Sequence, residues 1–567
     1  MDSHRLMIKV KELMHSSEII ASKINGIHVY IMFFIYYQIL NRIKTMHITG
    51  DEPHYIIDAY AMAFNQNRNV LDIYKNSELV QSIYGSPNLA PHLLGDMTVT
   101  FHGVGMSILL VPVTLIMQHG FLFREYVALF AAGVPALSFV LLRKNSRFFN
   151  PSRLIVATFI VFGLPPFAFY TNQLYPEVPA IFLSLCALYF MQRKNLFGPI
   201  VAVIFANYLY WIHIRFIPLS IGIVLLILLK RNTFEKLISV VISILSFLVY
   251  LYFNFNWYGT FDIFFQRHYI QANLTPESHG SIFYRTFFGH LFSPSYGVIP
   301  WNPVLLLSLA GLLQIFKNLN KKDMHVTLVI FASCSLYLFA VAYGGAVGGL
   351  VFPARYMIVL MPCFYYGLVF FFHALSIRQK SFGRSMAGMG IFFIVLSLIY
   401  LPISYKNVDN LYGRGDFQNQ SLVPIARDFA SLWPDYSSNY GTMMFVVNPS
   451  ADDGQKSDFS LDYMPMGTFA VKAIGDASTV QSIQINSNEF QVNSLDNSEE
   501  SQHLIGTFLN RRFGYVGGAV IWKSDAREVI RLELNQLSPV KSEFPETRHT
   551  LLILFAILVL KRWNFQK

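Results

Sequence analysis

The chain has 567 residues, of which 54% are hydrophobic, 16% aromatic and only 13% charged, with a positive mean hydropathy of +0.42. Soluble domains carry about 25% charged residues, so this composition excludes an ordinary globular protein and defines a polytopic membrane chain. The formal charge of +10 raises the question of nucleic acid. Its Lys and Arg residues instead sit in short linkers between apolar runs, as cytoplasmic loops do, and no nucleic-acid partner is expected.

The amino terminus, residues 1–26, is too polar for a signal-peptide core, so the first apolar run is expected to remain as an anchor. Runs suited to crossing about 30 Å of hydrocarbon fall at 27–44, 122–142, 154–171, 177–192, 198–213, 216–230, 237–256, 298–316, 325–343, 356–376, 386–404 and 549–562, the last being short. One further stretch, "FHGVGMSILLVPVTLIM" at 101–117, is ambiguous. If it does not cross, Arg143, Lys144, Arg147 and Arg153 share a side with Arg193, Lys194, Lys230, Arg231, Lys317, Lys321, Lys322, Arg378, Lys380, Arg384, Lys561, Arg562 and the amino terminus. The positive-inside rule therefore makes it a helix on or dipping into the outer surface. The expected fold is an α-helical membrane protein of about twelve transmembrane helices with both termini cytoplasmic.

Within this topology 27–404 forms the membrane domain, with a long first outer loop at 45–121. Residues 405–548 change character, becoming rich in Asn, Ser and Asp. Runs such as "TMMFVVNP" and "GGAVIWKS" there read as short strands, giving an extracytoplasmic domain of mixed or β-rich fold. Residues 549–567 supply the last helix and a cytoplasmic tail. Cys186, Cys334 and Cys363 all lie in apolar segments, where packing is the simplest role.

Five polar features fall on the outer face. In "ITGDEPHYIIDAYAMAF", Asp51, His54 and Asp58 recur at i, i+3 and i+7 with Tyr55 beside them, a stripe able to hold a proton acceptor or a cation. The same residues equally suit a helix start, Asp51 capping and Glu52 and Pro53 filling the first turn. Glu177 in "TNQLYPEVPA" has the same two readings. His213 and Arg215 in "YWIHIRF" end a crossing, where such side chains commonly snorkel to headgroups. Arg355 follows the glycine-rich "GGAVGGLVFPARY" and suits a phosphate; His102 sits on the surface helix, where interfacial anchoring would also explain it.

In this order, "GDEPHY", "FHGVGMSILLVP", "YPEVPA", "YWIHIRF", "SPSYGVIPWNPVLLLSLAGL" and "GGAVGGLVFPARYMIVLMP" resemble the C-type (GT-C) membrane glycosyltransferases, a superfamily that includes protein O-mannosyltransferases and aminoarabinose transferases. The resemblance covers roughly residues 27 to 405 and leaves 405–548 unexplained. It implies transfer of a sugar from a polyprenyl-phosphate donor to an extracytoplasmic glycolipid, polysaccharide or protein, at the outer face of the plasma (inner) membrane. It implies Asp51 as catalytic base and Glu52 as its partner. Glu177 takes the second acidic position, where many relatives carry Asp, and Arg355 the donor phosphate. His102 matches the polar residue of the surface helix, with His54, His213 and Arg215 as further substrate-binding candidates. Membrane lipids are the surroundings such an enzyme needs. Asp51, Glu52, His54 and Glu177 would serve a divalent cation or hydrogen bonds alike. The competing reading is a transporter or lipid flippase, which would place ionisable residues nearer the bilayer midplane. A third, an anchored binding protein working through 405–548, leaves the outer-face residues without a role.

Overall fold

The computed structural model describes residues 23–43, 51–64, 69–84, 89, 93, 98–100, 102–117, 120–145, 151–264, 286–291, 297–302, 304–318, 321–343 and 354–378, together with strands at 442–447, 456–464, 467–474, 480–485, 488–491, 502–510, 514–522 and 530–539. The expected crossings at 386–404 and 549–562 lie outside these residues. So do the amino-terminal 22 residues and the glycine-rich turn at 344–353.

The chain is a multi-pass membrane protein built mainly of apolar helices. Among the described residues, Leu122–Lys144, Thr233–Tyr258 and Tyr356–Ala374 are each long and apolar enough to cross a bilayer, and Val104–Ile116, Pro151–Gly163, Glu177–Met191, Phe197–Ile212 and Thr327–Tyr343 are shorter apolar helices. Several expose hydrophobic faces that water would not tolerate. On helix Gly26–Ile43, Ile27, Ile31, Ile35 and Ile39 form an exposed stripe at every fourth residue while Val29, Phe33, Tyr37 and Leu40 are buried. Helix Thr233–Tyr258 exposes Leu237, Val241, Ile244, Leu245 and Leu248. Contiguous apolar faces of this kind suit lipid contact.

Helix Gly26–Ile43 packs on Gly120–Asn145, which in turn packs on Glu177–Met191. Helix Glu177–Met191 pairs with Phe197–Ile212, and the short connection between them makes the two antiparallel. Helix Ile217–Lys230 lies on Lys321–Tyr343, and Leu305–Asn318 on Met361–Arg378. In that last pair the backbones nearly touch: a Cβ on Gly367 would meet the carbonyl of Ser308. Small residues allow such approaches, which strengthen van der Waals packing in lipid.

Two expected crossings are broken. The run at 154–171 is a helix over Pro151–Thr158, a π-helical turn at Phe159–Gly163 and a short helix at Phe167–Tyr170. Pro165 and Pro166 supply no N–H donors, so carbonyls of the preceding turn need other partners. Tyr36 and Tyr37 donate their hydroxyls to the carbonyls of Gly163 (2.8 Å) and Phe162 (2.9 Å), and the Asn302 amide donates to Ile160 (2.9 Å). The run at 298–316 is likewise divided into Val298–Trp301 and Leu305–Asn318.

The chain divides into two units, Met1–His279 with Asn302–Tyr405, and Gly280–Trp301 with Lys406–Lys567. The second holds two four-stranded antiparallel sheets. Their strand orders are β1-β8-β3-β6 and β2-β7-β4-β5, with β1 Thr442–Val447, β2 Lys456–Met464, β3 Gly467–Ile474, β4 Val480–Ile485, β5 Asn488–Gln491, β6 Gln502–Asn510, β7 Gly514–Trp522 and β8 Ile530–Pro539. Ile483 and Ile485, two residues apart on β4, are both buried, as the pleat requires.

In the first unit, helix Glu52–Phe64 packs on Val104–Met117, whose start presses against the end of helix Phe197–Ile212. The approach is made at "HGVG": a Cβ on Gly105 would collide with the backbone of Trp211 and Ile212, and the Gly105 carbonyl accepts from the Tyr208 hydroxyl at 2.8 Å. Because backbone must yield there, Gly105→Ala should destabilise the protein by about 1–3 kcal/mol, the usual cost of overpacking. A lower thermal unfolding temperature in detergent would register it.

Candidate active site

Four polar residues, far apart in sequence, converge at helix ends. Glu177 opens helix Glu177–Met191, and Arg215 lies in the 3₁₀ turn Ile214–Phe216 that follows helix Phe197–Ile212. Since those helices are antiparallel neighbours, the start of one and the end of the other share a side. Asp51 precedes helix Glu52–Phe64, its carbonyl accepting from the Tyr55 N–H at 3.3 Å. Arg355 precedes the 3₁₀ turn Tyr356–Leu360.

Glu177 is the hub. Its Oε1 accepts from Arg215 Nη2 at 2.5 Å and from Arg355 Nε at 3.0 Å. Arg355 then donates Nη1 to Asp51 Oδ2 at 3.0 Å. The result is a chain of alternating charge, Arg215–Glu177–Arg355–Asp51. Exposure is least at the hub and greatest at Asp51: the Arg215 side chain is 12% accessible, Glu177 0%, Arg355 6% and Asp51 28%. Glu177 Oε2 and Arg215 Nε are buried without a hydrogen-bond partner among the described residues, a costly condition for polar atoms.

Aromatic faces surround the guanidiniums. Arg355 lies 4.0 Å from the Tyr175 ring centroid and 5.5 Å from that of Tyr356, while Arg215 lies 4.6 Å from Tyr356 and 5.2 Å from Phe216. The ring quadrupoles attract the cations in a setting with little water. The backbone also fixes Arg355. Ala354 has a left-handed φ of 62°, which costs a non-glycine residue about 1–2 kcal/mol. Its carbonyl closes the following turn by accepting from Met357 (2.9 Å) and Ile358 (3.1 Å).

His213 completes this side. Its Nδ1 accepts from the Arg215 N–H at 3.2 Å, which places the ring proton on Nε2. Burial, then the positive charges of Arg215 and Arg355, hold its pKa well below the ordinary imidazole range, so the ring is neutral at physiological pH. Burial first and the Asp51 charge second push the Tyr55 phenol well above its usual range, so it stays protonated. His102 stacks on His54 with ring centroids 5.7 Å apart and meets Tyr55 at 4.9 Å; His54 Nδ1 lies 2.5 Å from the Tyr74 hydroxyl. Asp58, one turn beyond His54, is fully buried.

Glu52 faces elsewhere. Successive residues of a helix point about 100° apart, and Glu52 turns away from the Arg355 cluster. Its Oε2 accepts from Arg124 Nη2 at 2.6 Å and its Oε1 from the Leu174 N–H at 2.9 Å. Both side chains of this pair are essentially inaccessible, 2% for Arg124 and 0% for Glu52. The sequence gives no reason to notice Arg124, which sits inside a run counted as a crossing; Tyr175, Tyr356 and Tyr74 also pass unmarked among many tyrosines. Among the described residues, no group of three or more His, Cys, Asp or Glu side chains is arranged to hold a metal ion. Asp51, Glu52 and Glu177, three of the four candidate ligands, are paired with guanidiniums.

Fold and site together define a multi-pass membrane protein with a buried, charge-alternating polar centre at converging helix ends. No family model and no curated protein sequence matches the chain. Among solved structures it is similar to ArnT from Cupriavidus metallidurans, in crystal structures of the apo state and bound to undecaprenyl phosphate. Each is 12% identical with a TM-score of 0.40, over 71% of this chain and 74% of that one. It is also similar to the cryo-EM structure of the arabinosyltransferase EmbB from Mycobacterium smegmatis, at 10% identity and a TM-score of 0.29, over 91% of this chain and 65% of that one. These similarities carry no residue role to the present chain.

Removing one partner of a buried ion pair strands the other charge. Glu52→Ala, which takes this carboxylate away from the buried Arg124, is expected to cost about 3–5 kcal/mol. Asp51→Ala, at the exposed end of its chain, should cost about 1 kcal/mol or less. Thermal unfolding of the two purified variants in the same detergent compares them directly.

Proposed function

We propose that this chain is a C-type membrane glycosyltransferase. It moves a sugar from a polyprenyl-phosphate donor to a hydroxyl of an extracytoplasmic glycolipid, polysaccharide or protein, on the outer face of the plasma membrane. One observation carries the reading: two guanidiniums and a partly exposed carboxylate are held together by the buried Glu177. A lipid-linked donor keeps its tail among hydrocarbon and its phosphate at the membrane boundary, which suits a polar centre built where apolar helices end. Of the three acidic side chains paired to arginine in this region, Asp51 alone keeps substantial exposure, so it is the one an acceptor reaches.

In this mechanism the acceptor oxygen attacks the anomeric carbon and gives its proton to Asp51. The bond between that carbon and the phosphate oxygen breaks, and its electron pair leaves with the phosphate. Arg355 and Arg215 stabilise the charge that grows there. Glu177 holds both guanidiniums in place, and Glu52 with Arg124 fixes the helix that presents Asp51. His213, neutral and bonded to the Arg215 backbone, positions that turn, while His54 and His102 line the acceptor side behind Tyr55. A single base and direct displacement invert the anomeric centre.

Sugar transfer from radiolabelled polyprenyl-phosphate donors to membrane fractions tests the reading. Asp51→Asn should lower transfer by about 10²–10⁴, the range for loss of a general base. Arg355→Ala should lower it by about 10²–10³, the range for an electrostatic stabiliser of the leaving group. Undiminished transfer in Asp51→Asn would return Asp51 to a helix cap, and retention of configuration in the product, read by NMR, would rule out direct displacement. Lipid flipping in vesicles without any transfer would favour the transporter instead.

A further inference from the structure

We propose that the donor phosphate and the Asp51 carboxylate compete for one edge of Arg355, so that docking of the phosphate releases Asp51 and makes it available as proton acceptor. This rests on the glycosyltransferase reading and adds to it an order of events: donor first, acceptor activation second.

Three observations lead here. The first is how the guanidinium is used. Arg355 spends Nε on Glu177 and Nη1 on Asp51, one carboxylate on each side of its fork. Phosphate oxygens bind arginine best through two adjacent N–H groups, so a phosphate seats fully only by replacing one of these carboxylates. Glu177 is fully buried and also held by Arg215, whereas the Asp51 side chain is 28% accessible. Exchange therefore occurs at Asp51.

The second is charge. Two guanidiniums facing two carboxylates sum to zero, and a neutral cluster offers an incoming phosphate little net attraction. Separating Asp51 from Arg355 uncovers positive charge where the phosphate arrives.

The third is which partner moves. Arg355 is anchored by the left-handed Ala354 and the turn closed on its carbonyl, and its guanidinium lies over the rings of Tyr175 and Tyr356. Asp51 sits at a helix start, at the exposed edge. The arginine stays and the carboxylate turns away. While no donor is bound, Arg355 occupies an oxygen of the base, which guards against acceptor activation with no sugar to receive it.

The test is equilibrium binding of a polyprenyl phosphate to the full-length protein in detergent, comparing wild type, Asp51→Asn, Asp51→Ala and Arg355→Lys. If Asp51 competes with the phosphate, its removal tightens binding, by about 1.5-fold to fivefold if a moderately exposed ion pair is being displaced. Asp51→Ala should match or exceed Asp51→Asn, whose amide still accepts from Arg355, and Arg355→Lys should weaken binding. Inorganic phosphate as a second probe separates headgroup from tail: tightening for both assigns the exchange to the phosphate group alone, and tightening for the lipid only shows that the tail must dock as well. Unchanged or weaker binding in both Asp51 variants, with normal gel-filtration profiles, overturns the exchange and leaves the glycosyltransferase reading standing. Failure of the wild type to bind either probe overturns both.

Discussion

The polar centre depends on one carboxylate oxygen shared by two arginines. Taking a carboxylate and two guanidiniums out of water carries a penalty of several kcal/mol per ion, so such a cluster is a weak source of net stability. Its contribution is geometric. Glu177 Oε1 ties the start of one helix to the turn after its antiparallel neighbour and to the turn that opens helix Met361–Arg378. Were that oxygen absent, two guanidiniums would face each other across a low-dielectric space and separate. Asp51 joins the charge-alternating chain through Arg355.

A second, drier pair stands behind the first. Glu52 accepts from both Arg124 and the Leu174 backbone, so one side chain binds helix Glu52–Phe64 to helix Gly120–Asn145 and to the chain leading into Tyr175 and Glu177. Neighbouring residues of one sequence motif are thus divided between tasks by nothing more than helical rotation. Asp51 faces the accessible edge, and Glu52 faces the interior, where it fixes the position of the helix that carries its neighbour.

The sequence revealed the elements of this arrangement better than their connections. Acidic residues at 51, 52 and 177 were legible because they open helices, where capping and the helix dipole favour them. That Arg355 reaches Asp51 was not legible, since the two are separated by 304 positions and nothing local requires the contact. Arg215 reads as a residue that snorkels to headgroups, yet it is largely buried against Glu177, because a carboxylate nearby outcompetes water as a partner. Arg124 is concealed by its surroundings, one charge in an apolar helix with its partner 72 residues away. Hydrophobic runs gave the helices well, but hydropathy averages over backbone chemistry, so the breaks within 154–171 and 298–316 escaped it. The run "TMMFVVNP" contains strand β1 and "GGAVIWKS" overlaps the second half of β7, each carrying adjacent β-branched and aromatic residues, whereas the pairing of β3 with β6 and β8 has no local signature.

Tyr356 gives the centre a property that charge alone does not convey. One phenol ring lies within reach of both guanidiniums, 4.6 Å from Arg215 and 5.5 Å from Arg355. Flat cations associate with a ring face in a way that a rounded, strongly hydrated ammonium does not. The architecture thus discriminates by the shape of its cations as well as by their sign: a lysine at either position would keep the charge but lose the flat face that meets the ring.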